Sequence, residues 1–231
     1  VTQDGSSQSE ALAQLDVLIV DCQTTGATPA LGSVLELGWC VVNAARAELQ
    51  HWQSHWVKLP EGERVSAQVR KLTGFHERVM ADALPAEEVW RRLRASTEHA
   101  ASVPTAIHFA QFELRFLRDW AARFEADRPF PIDAVCVHQI ACRLYPDLPR
   151  RNLRALAGFL GHGLHLERRS LGHAEATAFI WQKLSAELAE RDVTTWPALL
   201  EFLNAPVAKA RSVKRRYPLD RARLNEQPDA P

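Results

Sequence analysis

The stretch Val17–Gly38, VLIVDCQTTGATPALGSVLELG, decides the fold. It begins inside a continuous apolar run, Leu15–Asp21, which predicts a buried central strand. The turn-prone TTGATPALGS follows, and then a second strand over Val34–Val42. Glu48–Val57 alternates enough for a third strand, with Trp52 and Trp56 on one face. Such short connections favour an antiparallel meander.

Beyond this meander the pattern changes period. Val65–Leu72 predicts a short helix closed by Gly74, and Pro85–Glu98 a second with proline in its first turn. A strand is expected at Val103–His108. An amphipathic helix follows at Ala110–Phe124, with Phe112, Phe116, Leu117 and Trp120 at helical spacing. A last strand at Ile132–Val135 precedes helices at Val137–Leu144, Asn152–Leu160, Leu171–Arg191 and Pro197–Leu203. This order indicates a mixed, layered α/β domain. The expected division is a mobile lead-in at 1–12, a domain at 13–203 and a basic, proline-containing tail at 204–231.

Composition bounds the class. With 231 residues, 46% hydrophobic and 24% charged, the chain is neither disordered, collagenous nor a coiled coil. Its 28 basic and 28 acidic residues cancel, which argues against a surface that is a basic nucleic-acid trap throughout. The cancellation is uneven, because Lys209–Arg223 carries a net +6 and leaves −6 for the rest. No apolar run reaches membrane-spanning length, and no signal peptide is seen. Cys22, Cys40, Cys136 and Cys142 form no CxxC pair and read as buried free thiols, so a cytoplasmic location is expected.

Three more stretches carry chemistry: Lys71–Arg78 (KLTGFHER), Ile107–Leu117 (IHFAQFELRFL) and Asn152–Ala178. Together with Val17–Gly38, in this order and spacing, they resemble the DnaQ-like (DEDD) 3′–5′ exonuclease family, which includes the proofreading epsilon-type subunit of bacterial replicative polymerase. The resemblance spans about residues 15–190. It implies an RNase H-like mixed five-stranded sheet flanked by helices. It further implies two divalent metal ions held by four carboxylates, and a histidine that activates water at a terminal phosphodiester.

Carried over position by position, the implied site is altered. Asp21 matches the first aspartate, and Gln23 stands at the glutamate position. Glu113 replaces an aspartate, Arg168 replaces the catalytic histidine and His173 replaces the last aspartate. Four negative charges become two, and an arginine, always protonated, cannot act as the base. Two readings follow. In one, Asp21, Glu113 and His173 hold a single ion, Mn²⁺ in preference to Mg²⁺. In the other, which is preferred, metal binding is lost and Arg168 meets phosphate directly.

Each residue also has an ordinary reading: Asp21 could simply cap the next turn, and His173 near a helix start could be exposed and idle. Gln23 also suits a turn, Glu113 a solvated helix face, and the Arg168–Arg169 pair a solvated loop. Thr24 and Thr25 are candidate nucleic-acid contacts. Phe109 could stack on a base, although core packing is its ordinary role. His108 reads as a strand-end histidine with a structural hydrogen bond, Glu36 as an orienting group, and His162 and His165 as loop residues. The tryptophans read mainly as core.

Lys214, Arg215 and Arg216 head the basic tail as phosphate contacts, with a solvated linker as the alternative. The final LNEQPDAP is similar to the lead-in of GIY-YIG endonuclease domains, which suggests a fused or partner nuclease. The expected function is an exonuclease-fold domain of DNA metabolism, in repair, that binds a single-stranded DNA end with little or no two-metal hydrolysis. The alternatives are an atypical single-metal exonuclease and a protein-docking domain that positions a nuclease.

Overall fold

The computed structural model describes residues 10–46, 48–97, 102–163 and 168–206. The expectations on the basic tail, on Glu98 and on His165 lie outside them, as does most of the lead-in.

Five strands form one mixed sheet: β1 (Asp16–Thr24), β2 (Val34–Asn43), β3 (Glu48–Trp56), β4 (Val103–Ile107) and β5 (Ile132–Cys136). Their order is β3-β2-β1-β4-β5. The first three pair antiparallel, and β4 and β5 join β1 in parallel. The meander therefore forms one half of the sheet, and β1 is its central strand.

Both faces of β1 are covered, which is why its sequence is apolar without alternation. Leu18, Val20 and Cys22 enter a core with α2 (Ala86–Ser96) and α3 (Ala110–Phe124). Val17 and Ile19 enter the opposite core, with α4 (Val137–Leu144), α5 (Leu153–Phe159), α6 (Ser170–Ala189) and α7 (Trp196–Asn204). A smaller cluster around Leu35, Trp56 and Phe75 lies beside α1 (Ala67–Thr73). Gly74 closes α1 at φ 71°, the left-handed conformation that glycine adopts freely.

Some details differ from the sequence reading. A 3-10 turn at Glu77–Asp82 was not expected, since it has no apolar periodicity and buries no residue. Trp52, assigned to the core with the other tryptophans, is 52% exposed on the edge strand β3. Ala11 and Leu12 fall in the expected lead-in, yet Ala11 bridges Thr195 and Leu12 is buried in the α6-side core. Among the described residues no helix is long and apolar enough to cross a membrane.

Candidate active site

Side-chain alternation builds the site. Asp21 and Gln23 share the face of β1 on which Val17 and Ile19 lie, the α6 face. On β2, Glu36 and Gly38 pair with Gln23 and Asp21. A Cβ on Gly38 would stand 2.7 Å from the carbonyl carbon of Ser170, so glycine lets the start of α6 lie directly on the sheet. That approach brings His173, in the first turn of α6, over Asp21.

The Gln23 amide Nε2 donates to Asp21 Oδ2 at 3.2 Å and lies 3.2 Å from His173 Nδ1. His173 Nδ1 is in turn 3.4 Å from Asp21 Oδ1. A neutral His173 accepts from the amide at Nδ1. A protonated one donates to Asp21, and the amide must then turn its oxygen inward. Burial disfavours the imidazolium, but the hydrogen bond and charge of Asp21, with Glu36 behind them, outweigh it and raise the His173 pKa. The pair thus favours a cation at the position where the resemblance implies an anion.

Glu113 arrives from the opposite face, in the first turn of α3. It is buried, and its Oε2 accepts from the Cys22 backbone N–H at 2.9 Å. Burial, then the charge of Asp21, push its carboxyl well above the usual range, against the pull of the Cys22 hydrogen bonds. The solvated helix-face reading of Glu113 is therefore corrected. The same burial, with Glu113 and Asp21 beside it, raises the Cys22 thiol.

Arg168 does not join this group. It is exposed, and its guanidinium donates to the Lys71 carbonyl at 2.7 Å. Its neighbour Arg169 turns inward instead. Arg169 Nε donates to Glu36 at 2.8 Å, and the guanidinium lies 4.5 Å from the Trp56 ring centre. Glu36 also accepts from the Ser170 N–H at 3.1 Å, so it caps the start of α6, in keeping with an orienting role.

These donors do not fit a pair of divalent ions. Two hard cations need several anionic oxygens. Here one carboxylate faces an imidazole and an amide, and the other is buried on a backbone N–H. Among the described residues no group of three or more His, Cys, Asp or Glu side chains is arranged to hold a metal ion.

A cleft of about 860 Å³ opens over the site. Asp21, Glu113, His173, His108, Phe109 and His138 line it, with Arg115 and Asn152 also on its wall. Phe109 is 47% exposed and not core. Neither His108 ring nitrogen has a hydrogen bond of full geometry, although the Arg151 backbone oxygen lies near enough to act on the ring as an acceptor. Burial, with His138 and His173 nearby, lowers its pKa to about 4; the Arg151 backbone oxygen offsets this only weakly.

Thr24 and Thr25 are engaged inside their own loop. Thr24 donates to the Gly26 carbonyl at 2.8 Å, and Thr25 donates to Glu63. Glu63 also accepts from the Ser33 hydroxyl at 2.7 Å, clasping both ends of the loop. No motif pointed to Glu63. His138 was also missed, but it was legible: it lies in the first turn of the helix after β5, the parallel neighbour of β4, which ends just before His108.

No protein-family model matches this chain. It is 27% identical over 188 residues to the PolC-type DNA polymerase III of Caldanaerobacter subterraneus subsp. tengcongensis, covering 80% of this chain. The match spans 13% of that polymerase's length. Among solved structures it resembles Exonuclease X in complex with 5′-overhanging duplex DNA (22% identity, 73% of this chain and 90% of that one, TM-score 0.53). It also resembles E. coli Exonuclease I in complex with a dA16 oligonucleotide (17%, 82% and 43%, TM-score 0.60). The cell-death related nuclease CRN-4 gives a TM-score of 0.63 (12%, 79% and 67%).

Proposed function

We propose that this chain, whose fold is that of the DnaQ-like exonucleases, binds a single-stranded DNA end in its cleft and does so without a divalent metal ion. The observation that carries the proposal is the Asp21–Gln23–His173 network at the head of β1. It sets an imidazole against the half-buried Asp21 carboxylate, at the place where this fold would otherwise gather anions around cations. A phosphodiester that enters meets the His173 edge and the Arg115 guanidinium, both on the cleft wall. Both are donors suited to charge-assisted hydrogen bonds with phosphate. The DNA held by Exonuclease X and by Exonuclease I in their complexes supports DNA as the ligand class. The setting we propose is DNA repair, with little or no hydrolysis.

The chemistry that remains is binding and orientation. Burial, and then the charge of Asp21, disfavour the ionised form of Glu113, which weakens its repulsion of a phosphate. Asp21 holds His173 in place and favours its protonation.

Equilibrium anisotropy with a labelled oligo-dT in EDTA tests this. Binding is expected without divalent ions and should weaken as salt rises. Arg115→Ala should flatten the log–log salt dependence by about 0.7. Binding that appears only on addition of Mg²⁺ or Mn²⁺ would contradict the proposal.

A further inference from the structure

The Asp21–His173 pair accounts for a phosphate and leaves the lining around Phe109 without a task. Phe109 caps α3 at φ 62° and ψ 46°, a left-handed conformation that a bulky side chain rarely adopts. The strain is held in place by the fold, with the Phe109 carbonyl accepting from the Phe112 N–H at 2.8 Å. Strain of this kind gathers at ligand-binding positions. The residue that carries it here lines the cleft and is not core.

His138 stacks on that ring, with centroids 4.5 Å apart and planes inclined by 29°. His108 meets Phe109 edge-on at 4.6 Å and His138 at 5.9 Å. With one face backed by His138 and the residue 47% exposed, the opposite face of Phe109 is left to the cleft. Beside it His108 is 7% exposed and lines the cleft, and neither Nδ1 nor Nε2 has a hydrogen bond of full geometry, the Arg151 backbone oxygen acting on the ring only weakly. Buried polar atoms are rarely left so.

Burial lowers the pKa of both His108 and His138, so both rings are neutral near pH 7. A neutral imidazole carries one donor and one acceptor and no charge to select phosphate. A ligand for this lining is therefore flat, uncharged, open to stacking and furnished with donors and acceptors along its rim. A nucleobase has all four properties.

We propose that Phe109, backed by His138, is the stacking platform for the base of a DNA end nucleotide, and that His108 hydrogen-bonds the edge of that base. The proposal rests on the DNA-binding reading of the cleft and extends it from backbone to base.

The test is a binding cycle with single-stranded oligo-dT, intact or with its 3′-terminal nucleotide abasic. Phe109→Ala should weaken binding of the intact strand about tenfold. Phe109→Trp should restore it. Removal of the base should weaken wild-type binding by a similar factor and Phe109→Ala binding by far less. A 2-aminopurine placed at the 3′ end should be quenched on binding to wild type and not to Phe109→Ala. If wild type binds DNA while Phe109→Ala binds equally well and the abasic end makes no difference, the base subsite is wrong and the cleft reading stands. If wild type binds neither strand, both fall.

Discussion

His108 and His173 sit in one cleft and are pushed in opposite directions. His108 is lowered to about 4, mainly by burial, whereas the charge of Asp21 raises His173 despite burial. The two therefore act oppositely on stability. An unfolded histidine titrates near 6.5, so between pH 6.5 and 4 the unfolded chain binds the His108 proton and the folded chain does not. Stability linked to His108 is present above about pH 6.5 and is lost as pH falls toward 4, by about 3 kcal/mol. For His173 the stabilisation is present below 6.5 and is lost as pH rises through its raised pKa. Urea unfolding at pH 7 and pH 4, compared between wild type and His108→Gln, isolates the first effect. The acid-side loss should be smaller in the variant by about that amount. Equal losses would show that this imidazole is not buried neutral.

At the scale of elements, the seat of α6 on β2 is what assembles the site. Beyond its approach to the Ser170 carbonyl carbon, a Cβ on Gly38 would also lie 2.8 Å from the Leu171 nitrogen. These are backbone atoms, which cannot swing aside as a side-chain tip can. Gly38→Ala should cost about 1–3 kcal/mol, as overpacking does, read as a lower denaturation midpoint. It should also loosen His173 from Asp21, read by NMR titration as loss of the Asp21-dependent rise in the His173 pKa. An unchanged midpoint and titration would remove Gly38 from the account.

The same scale shows what the sequence could reveal. The uninterrupted apolar run of β1 and the 3.6-residue spacing of Phe116, Leu117 and Trp120 on α3 are local patterns, and both elements formed as read. The convergence of Asp21 with His173 could be anticipated only through the family resemblance, because the two are 152 positions apart. The direction of Glu113 depends on a backbone N–H 91 residues away, so no spacing could show it. Arg168 and Arg169 are adjacent and chemically identical. Which one turns inward is decided by the buried Glu36 at the start of α6, a tertiary fact. Phe109 looks like any core aromatic until its backbone conformation is known.

Taken whole, the molecule is neutral by cancellation, with +6 between Lys209 and Arg223 and −6 elsewhere. An acidic body does not draw DNA by its overall field, so affinity must come from local donors such as Arg115 and His173, or from the basic tail. Screening acts strongly on such exposed contacts. The sheet and helices have the fold of the exonucleases they resemble, and the proposal is that the groups at the head of β1 bind DNA without hydrolysing it. The measurement that bears most directly on this is release of nucleotides from a labelled single-stranded DNA at millimolar Mg²⁺ or Mn²⁺, with binding followed in the same samples. The account predicts that the strand is bound and stays intact. Release of nucleotides that Asp21→Ala abolishes would contradict it.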